Sequence, residues 1–300
     1  MKNRRVHLLV IIVAFVAAAS VVAFAARGSR GQAPTTKTEP VVKSTLSTGA
    51  SKTKGASVAS AAAVENQLLR DQLIWTFGGK QQRGWYLYDA LLGETLGTKD
   101  DSLTNDFADA VAKWQKRRGL AASGILDEPS WMAMVSQWQS NRLKNRTSAT
   151  PDQLVTAPPS DFYDPLRAPE LRQLERETYA AYKKMLATAI DDLKLQHTAS
   201  DELAPQEKYF KIVSAFRSRE YQDELRRKSP NSGSAGLAVN SPHFTGRALD
   251  LYVGGDPVDT KDANRSIQVN SQAYKWLVRN AERFGFRPYF YEPWHWEYVK

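Results

Sequence analysis

The chain has 300 residues, 41 Lys or Arg against 32 Asp or Glu, a net charge of +9 and no cysteine. The absence of Cys excludes disulfide frameworks, thiolate metal sites and cysteine nucleophiles. Nine basic residues against one acid before Ser60 account for +8 of the +9, leaving about +1 for the rest. A nucleic-acid-binding reading therefore fails, because its basic patch should sit on a folded face.

Lys2, Arg4 and Arg5 precede an uncharged run from Leu8 to Ala26 in which Ser20 is the only polar residue. About 20 apolar residues span a bilayer as a helix, and the basic flank keeps the N-terminus inside. Residues 1–26 are therefore expected to form a single-pass anchor holding the remainder outside the cell membrane. Ala23-Phe-Ala25 is an alternative signal-peptidase site, which would make the protein secreted. Residues 27–64, rich in Ser, Thr, Ala, Gly and Lys, read as a disordered basic tether suited to anionic wall polymers or lipid headgroups.

Residues 65–141 read as a small all-α module. Phe107, Ala110, Val111 and Trp114 recur at helical spacing, as do Trp131, Met134, Val135 and Trp138, with Asp127 placed as an N-cap before Pro129. The segment A-V-x-x-W-Q-x-x-x-G-L-x-x-S-G-x-L-D resembles the half-repeat of three-helix peptidoglycan-binding domains, while Gly78 to Asp101 is longer and more aromatic than that family's turn. A generic helical spacer is the alternative. Residues 142–160 read as a polar linker.

From residue 161 onward an α+β pattern is expected: a long helix from Pro169 to about Leu195, a strand from Tyr209 to Phe216, a helix from Ser218 to Arg227, a strand from Ala248 to Val253, and a helix from Ser271 to Phe284 capped by Gly285. Ser229 to Asn240 reads as a Ser/Gly/Asn-rich loop, either a substrate cover or an ordinary connection. His197 reads as solvated.

The chemistry concentrates in Ser241-Pro-His243-Phe-Thr-Gly246-Arg-Ala-Leu-Asp250 and Glu292-Pro-Trp-His295-Trp-Glu297. Two imidazoles and a carboxylate make a three-ligand set that leaves one tetrahedral position open. An Asp inside an apolar strand needs a cation, so Asp250 either pairs with an Arg or binds metal. A straight strand would put Glu292 and His295 on opposite faces, and Pro293 favours a bulge or strand end that brings them to one side. Trp294 and Trp296 read as core.

These two motifs, with Ser214-Ala-Phe-Arg217-Ser-Arg-Glu-Tyr-Gln222, resemble the signatures of the VanY-like zinc D-Ala-D-Ala carboxypeptidases, relatives of lysostaphin-type enzymes and hedgehog domains. Ala215 and Phe216 stand where that family has Gly and Tyr. The resemblance covers residues 161–300 and implies an α+β fold with helices on an antiparallel sheet. It also implies Zn2+ held by His243, Asp250 and His295, Glu292 as general base and acid, and Arg217 as partner of the substrate carboxylate or oxyanion. Ser241 and Gln222 are further candidates for substrate binding. The implied activity is trimming of peptidoglycan stem peptides at the cell wall. An endopeptidase of the same fold or a catalytically inactive wall-binding protein is the alternative.

Overall fold

The computed structural model describes residues 60–98, 104–200, 202–228 and 238–300. The expected anchor and most of the tether lie outside the described residues, as does most of the loop before His243. Among the described residues, no helix is long and apolar enough to cross a membrane.

The fold begins earlier than the tether reading expects. Helix α1 (Ala61–Gln72) starts where the Ser60 hydroxyl accepts from the Ala63 amide, and the Ser60 amide itself donates to Asn105. Asn66 then ties α1 to the next segment, donating to Gly124 O at 2.8 Å and accepting from the Leu126 amide at 2.7 Å. A buried amide satisfied at both ends fixes that register.

The N-terminal module is not all helical. Strands β1 (Ile74–Phe77) and β2 (Lys80–Arg83) form an antiparallel hairpin, turned by Gly78 and Gly79 at φ 58° and 75°. Two consecutive left-handed residues suit a tight hairpin, and a β-rich Ile-Trp-Thr-Phe run followed by Gly-Gly carries that signal. Helices α2 (Asp89–Leu96), α3 (Asn105–Arg117) and α4 (Glu128–Ser140) follow. Asp127 caps α4 as expected, its carboxylate accepting from Ser130 N at 3.0 Å.

The segment expected as a linker carries β3 (Leu154–Thr156), paired antiparallel with β4 (Gln173–Glu175). The long helix therefore starts later than its pattern suggests: α5 (Arg176–Leu193) begins where the Glu175 carboxylate accepts from the Thr178 amide at 2.8 Å. The stretch before it is a short turn and a strand, because Pro169 opens only three residues of 3-10 helix.

The principal sheet is four-stranded and antiparallel. Its strands are β5 (Ile212–Ser214), β6 (Ala248–Leu251), β7 (Phe286–Pro288) and β8 (His295–Tyr298), in the order β5-β6-β8-β7. Strands β5 and β6 are both shorter than their sequences suggest. Register pairs Asp250 with Ser214 on one side and with His295 on the other. Residues opposite one another share a face, so these three side chains form one row while Leu249, Leu251 and Trp296 point into the core. Helices α6 (Arg219–Lys228), α7 (Asp262–Asn270) and α8 (Gln272–Asn280) complete the fold, α8 capped by Ser271.

One apolar core runs through both halves. Phe290, in the turn between β7 and β8, packs 4.8 Å from Phe77, 5.6 Å from Tyr88 and 5.9 Å from Trp138, measured between ring centroids. Arg265 of α7 crosses the same boundary to donate to the Tyr88 hydroxyl at 2.6 Å. Truncating Phe290 should be felt in both halves. Phe290→Ala is expected to lower stability by about 3–5 kcal/mol, the range for deleting a buried aromatic ring. Denaturant unfolding followed by fluorescence should show a single shifted transition, and an unchanged midpoint would mean the two halves are independent.

Candidate metal centre and active site

His243 sits in a 3-10 turn (Pro242–Thr245) that Ser241 caps, its hydroxyl accepting from the His243 amide at 3.3 Å. Gly246 closes the turn at φ 66°, and a Cβ there would stand 2.7 Å from the Glu175 backbone nitrogen. Only glycine fits both the left-handed conformation and that close approach. With Asp250 and His295 facing each other across the sheet, the three residues bring one ligand atom each to within 4.8 Å of one another. All three are buried.

The hydrogen bonds around the imidazoles suit a cation. His243 Nδ1 lies 2.6 Å from the Ala215 carbonyl, which can only accept, so Nδ1 carries the proton and Nε2 keeps its lone pair. That lone pair meets the Arg217 guanidinium at 3.3 Å. Burial, helped by Arg217, pushes the His243 imidazole down to about 4, so it is neutral and ready to ligate. His295 turns Nδ1 toward Asp250 at 2.9 Å and Nε2 toward Glu297 at 3.2 Å. Burial alone would lower it, but the two carboxylates win and raise it to about 9, so a metal binding at this ring would displace a proton from it. Asp250 is held well below the usual carboxylate range: burial opposes this, and His243, His295 and Arg217 outweigh it. Two imidazoles and an ionised carboxylate converging without a thiolate fit a divalent metal with room for a further ligand.

Glu292 lies in the turn before β8. Of the bulge or strand end expected at Pro293, the structure has the strand end: two turn hydrogen bonds, Glu292 N to Tyr289 O and His295 N to Glu292 O, place Glu292 ahead of β8 and free it from strand alternation. Its carboxylate takes no hydrogen bond from the described residues. Burial pushes it up to about 7; Asp250 adds to this, and His295 and Arg217 oppose it. A buried, unbonded carboxylate with such a value is poised for proton transfer near neutral pH. Trp294 and Trp296 are core, as expected.

Arg217 follows β5, its guanidinium aligned by Ser214 through Nε at 3.0 Å and bound to Asp250 through Nη2 at 2.7 Å. Only Nη1 is loosely held, by Gln222 at 3.4 Å. Gln222 is 1% exposed and its amide nitrogen donates to Ala238 O, so it orients Arg217 from behind. Ser241 and Gln222 thus appear in the structure as supports of His243 and Arg217. His197 is exposed and remote from the cluster in its bonding, pairing only with the Leu195 and Leu203 region.

Sequence reasoning gave Glu297 no role, although it lies in the same short motif. It is fully buried and shares its face with His295, two residues away on β8. Its Oε1 meets His295 Nε2 and accepts from Arg142 Nε at 3.1 Å, while Oε2 accepts from the Leu143 amide at 2.8 Å. Arg142 stacks 3.8 Å above the Tyr289 ring. A carboxylate that holds the far nitrogen of a ligating histidine fixes the ring's tautomer and orientation. The signal was available: an acid inside an apolar strand, at the period-two position of a candidate ligand. Arg142, by contrast, carried none. Glu297→Gln should weaken divalent-ion affinity by about 10- to 100-fold, read by chelator competition. Unchanged affinity would reduce Glu297 to a packing residue.

Residues 172–300 match the family model VanY, described as D-alanyl-D-alanine carboxypeptidase. No curated protein sequence matches the chain. Among solved structures, that of the LdcB LD-carboxypeptidase is similar at 24% identity and a TM-score of 0.37, covering 50% of this chain and 70% of the other. The matched stretch contains all three ligand candidates, Glu292 and Arg217. Residues 172–300 of this chain are thus similar to the VanY family.

Proposed function

We propose that the chain is a zinc-dependent D-alanyl-D-alanine carboxypeptidase that trims peptidoglycan stem peptides on the outer side of the cell membrane, to which residues 1–26 tether it. What supports this reading most is a free, buried base beside a three-ligand centre: Glu292, raised to about 7, next to His243, Asp250 and His295. A set of two imidazoles and a carboxylate suits zinc. When bound, the ion supplies Lewis acidity toward a carbonyl and toward water. Glu292 then accepts the water's proton and returns it to the leaving amine. Arg217 keeps Asp250 ionised and in place, and its loosely held Nη1 is left to meet a substrate oxygen.

The full-length protein incubated with a muropeptide mixture should release single D-Ala, followed by mass spectrometry. The C-terminal amide of the same peptide should react at least about tenfold more slowly, since a charge-assisted hydrogen bond contributes roughly 1.5–3 kcal/mol. Release of any larger fragment would replace this reading with an endopeptidase.

Glu292→Gln should retain zinc while turnover falls by about 10² to 10⁴. The wild-type pH profile should carry an acid limb. Only the ionised carboxylate accepts a proton, so kcat/KM falls as pH drops through the Glu292 pKa, at or below about 7 because a bound dication draws it down. The limb should vanish from the residual activity of Glu292→Gln, and its persistence there would assign the base elsewhere.

A further inference from the structure

An open cleft of about 580 Å³ has Lys144, Arg146 and Ser148 on one side and Arg219 and Asn240 on the other. It is continuous in the chain with the site: Asn240 precedes His243 by three residues and Arg219 follows Arg217 by two. Arg146 donates to Asn240 O at 2.8 Å, and the Ala149 amide donates to Phe244 O at 2.8 Å, so the two walls are bonded to each other and to the turn that carries His243. The Arg219 guanidinium stacks 4.6 Å from the Phe244 ring.

Among the described residues, no acidic side chain lines the cleft. Among the described residues, none of its three cations forms an ion pair, and the buried Ser148 hydroxyl has no hydrogen-bond partner. Arg146 is half-buried, and Glu297 is close enough to act on it electrostatically. Three cations on one concavity, with no carboxylate among its lining residues, concentrate positive potential there. Arg217 cannot serve every carboxylate of an acidic substrate, because most of its donors are committed to Ser214 and Asp250.

We infer that the cleft lined by Lys144, Arg146 and Arg219 is a subsite for carboxylates that the substrate peptide carries away from the scissile bond. This rests on the reading of the chain as a peptidase of peptidoglycan stem peptides, and it makes the preferred substrate an acidic peptide. The cleft contributes to binding and takes no part in bond cleavage.

The test uses two pentapeptides ending in D-Ala-D-Ala, identical except that the internal carboxylates are free in one and amidated in the other. Calorimetric binding to the full-length Glu292→Gln protein should favour the acidic peptide about tenfold, the lower end of what a hydrogen bond to a charged group gives. The preference should shrink with added salt, since the Debye length is only about 8 Å at physiological ionic strength. Adding Lys144→Glu and Arg219→Glu, both at exposed positions, should reduce it below about twofold while metal content and melting temperature stay constant. With active protein, the amidated peptide should show the same penalty in KM and little change in kcat. Equal binding of the two peptides, or a preference that survives charge reversal, overturns the subsite. Charge-selective binding without release of D-Ala leaves the subsite standing and overturns the carboxypeptidase reading instead.

Discussion

A carboxylate with 2% exposure in the middle of a four-stranded sheet is the constraint around which the C-terminal half is built. Removing an ionised carboxylate from water costs several kcal/mol unless cations or donors surround it. Asp250 meets that requirement from three directions, through His243, His295 and Arg217. Each partner comes from a different element, so the sheet register, the 3-10 turn at Pro242–Thr245 and the end of β5 all have to be correct at once. The same convergence that makes Asp250 tolerable creates a place for a divalent ion.

The site is layered outward from that residue. Ser214 and Gln222 hold Arg217, Ser241 and the Ala215 carbonyl hold His243, and Glu297 holds His295. Glu297 is in turn gripped by Arg142, two residues beyond α4, which brings the C-terminal end of the N-terminal module within two contacts of a candidate metal ligand. Replacing a single partner in such a buried network strands a charge, and this costs more than the pair contributes when intact. Glu292 stands apart. Its carboxylate takes no hydrogen bond from the described residues, and its raised value follows chiefly from burial. The candidate ligands are held by several partners each while the Glu292 carboxylate is not, a division that suits a group able to change its protonation state.

The N-terminal module bears on the chemistry through packing. Its aromatic residues Phe77, Tyr88 and Trp138 surround Phe290, which lies two residues before Glu292. Close-packed interiors transmit small displacements, so the position of the turn carrying Glu292 depends on a core that the module completes. The stretch between the halves contributes strand β3, the Arg142 ion pair and a wall of the basic cleft. It is built into the fold at every turn, where composition alone suggested a polar spacer.

The sequence by itself marked the candidate centre. Two histidines, a strand aspartate and a glutamate three residues before a histidine are unusual enough in residue type and spacing to mark candidate ligands and a candidate base, and Gly285 and Asp127 announced their caps through local backbone physics. Local pattern also found the helices, though not their starts. Pro169 and the apolar residues after it read as helix, yet pairing of Leu174 with Val155 claimed that segment for a sheet. What only tertiary structure decided were the long-range pairs: Arg142 with Glu297 and Arg265 with Tyr88 are separated by 155 and 177 positions. Nothing in an arginine's immediate neighbours records which distant carboxylate or hydroxyl it will meet. That information resides in the register of the sheet and the docking of the two halves, and it exists only once the chain has folded.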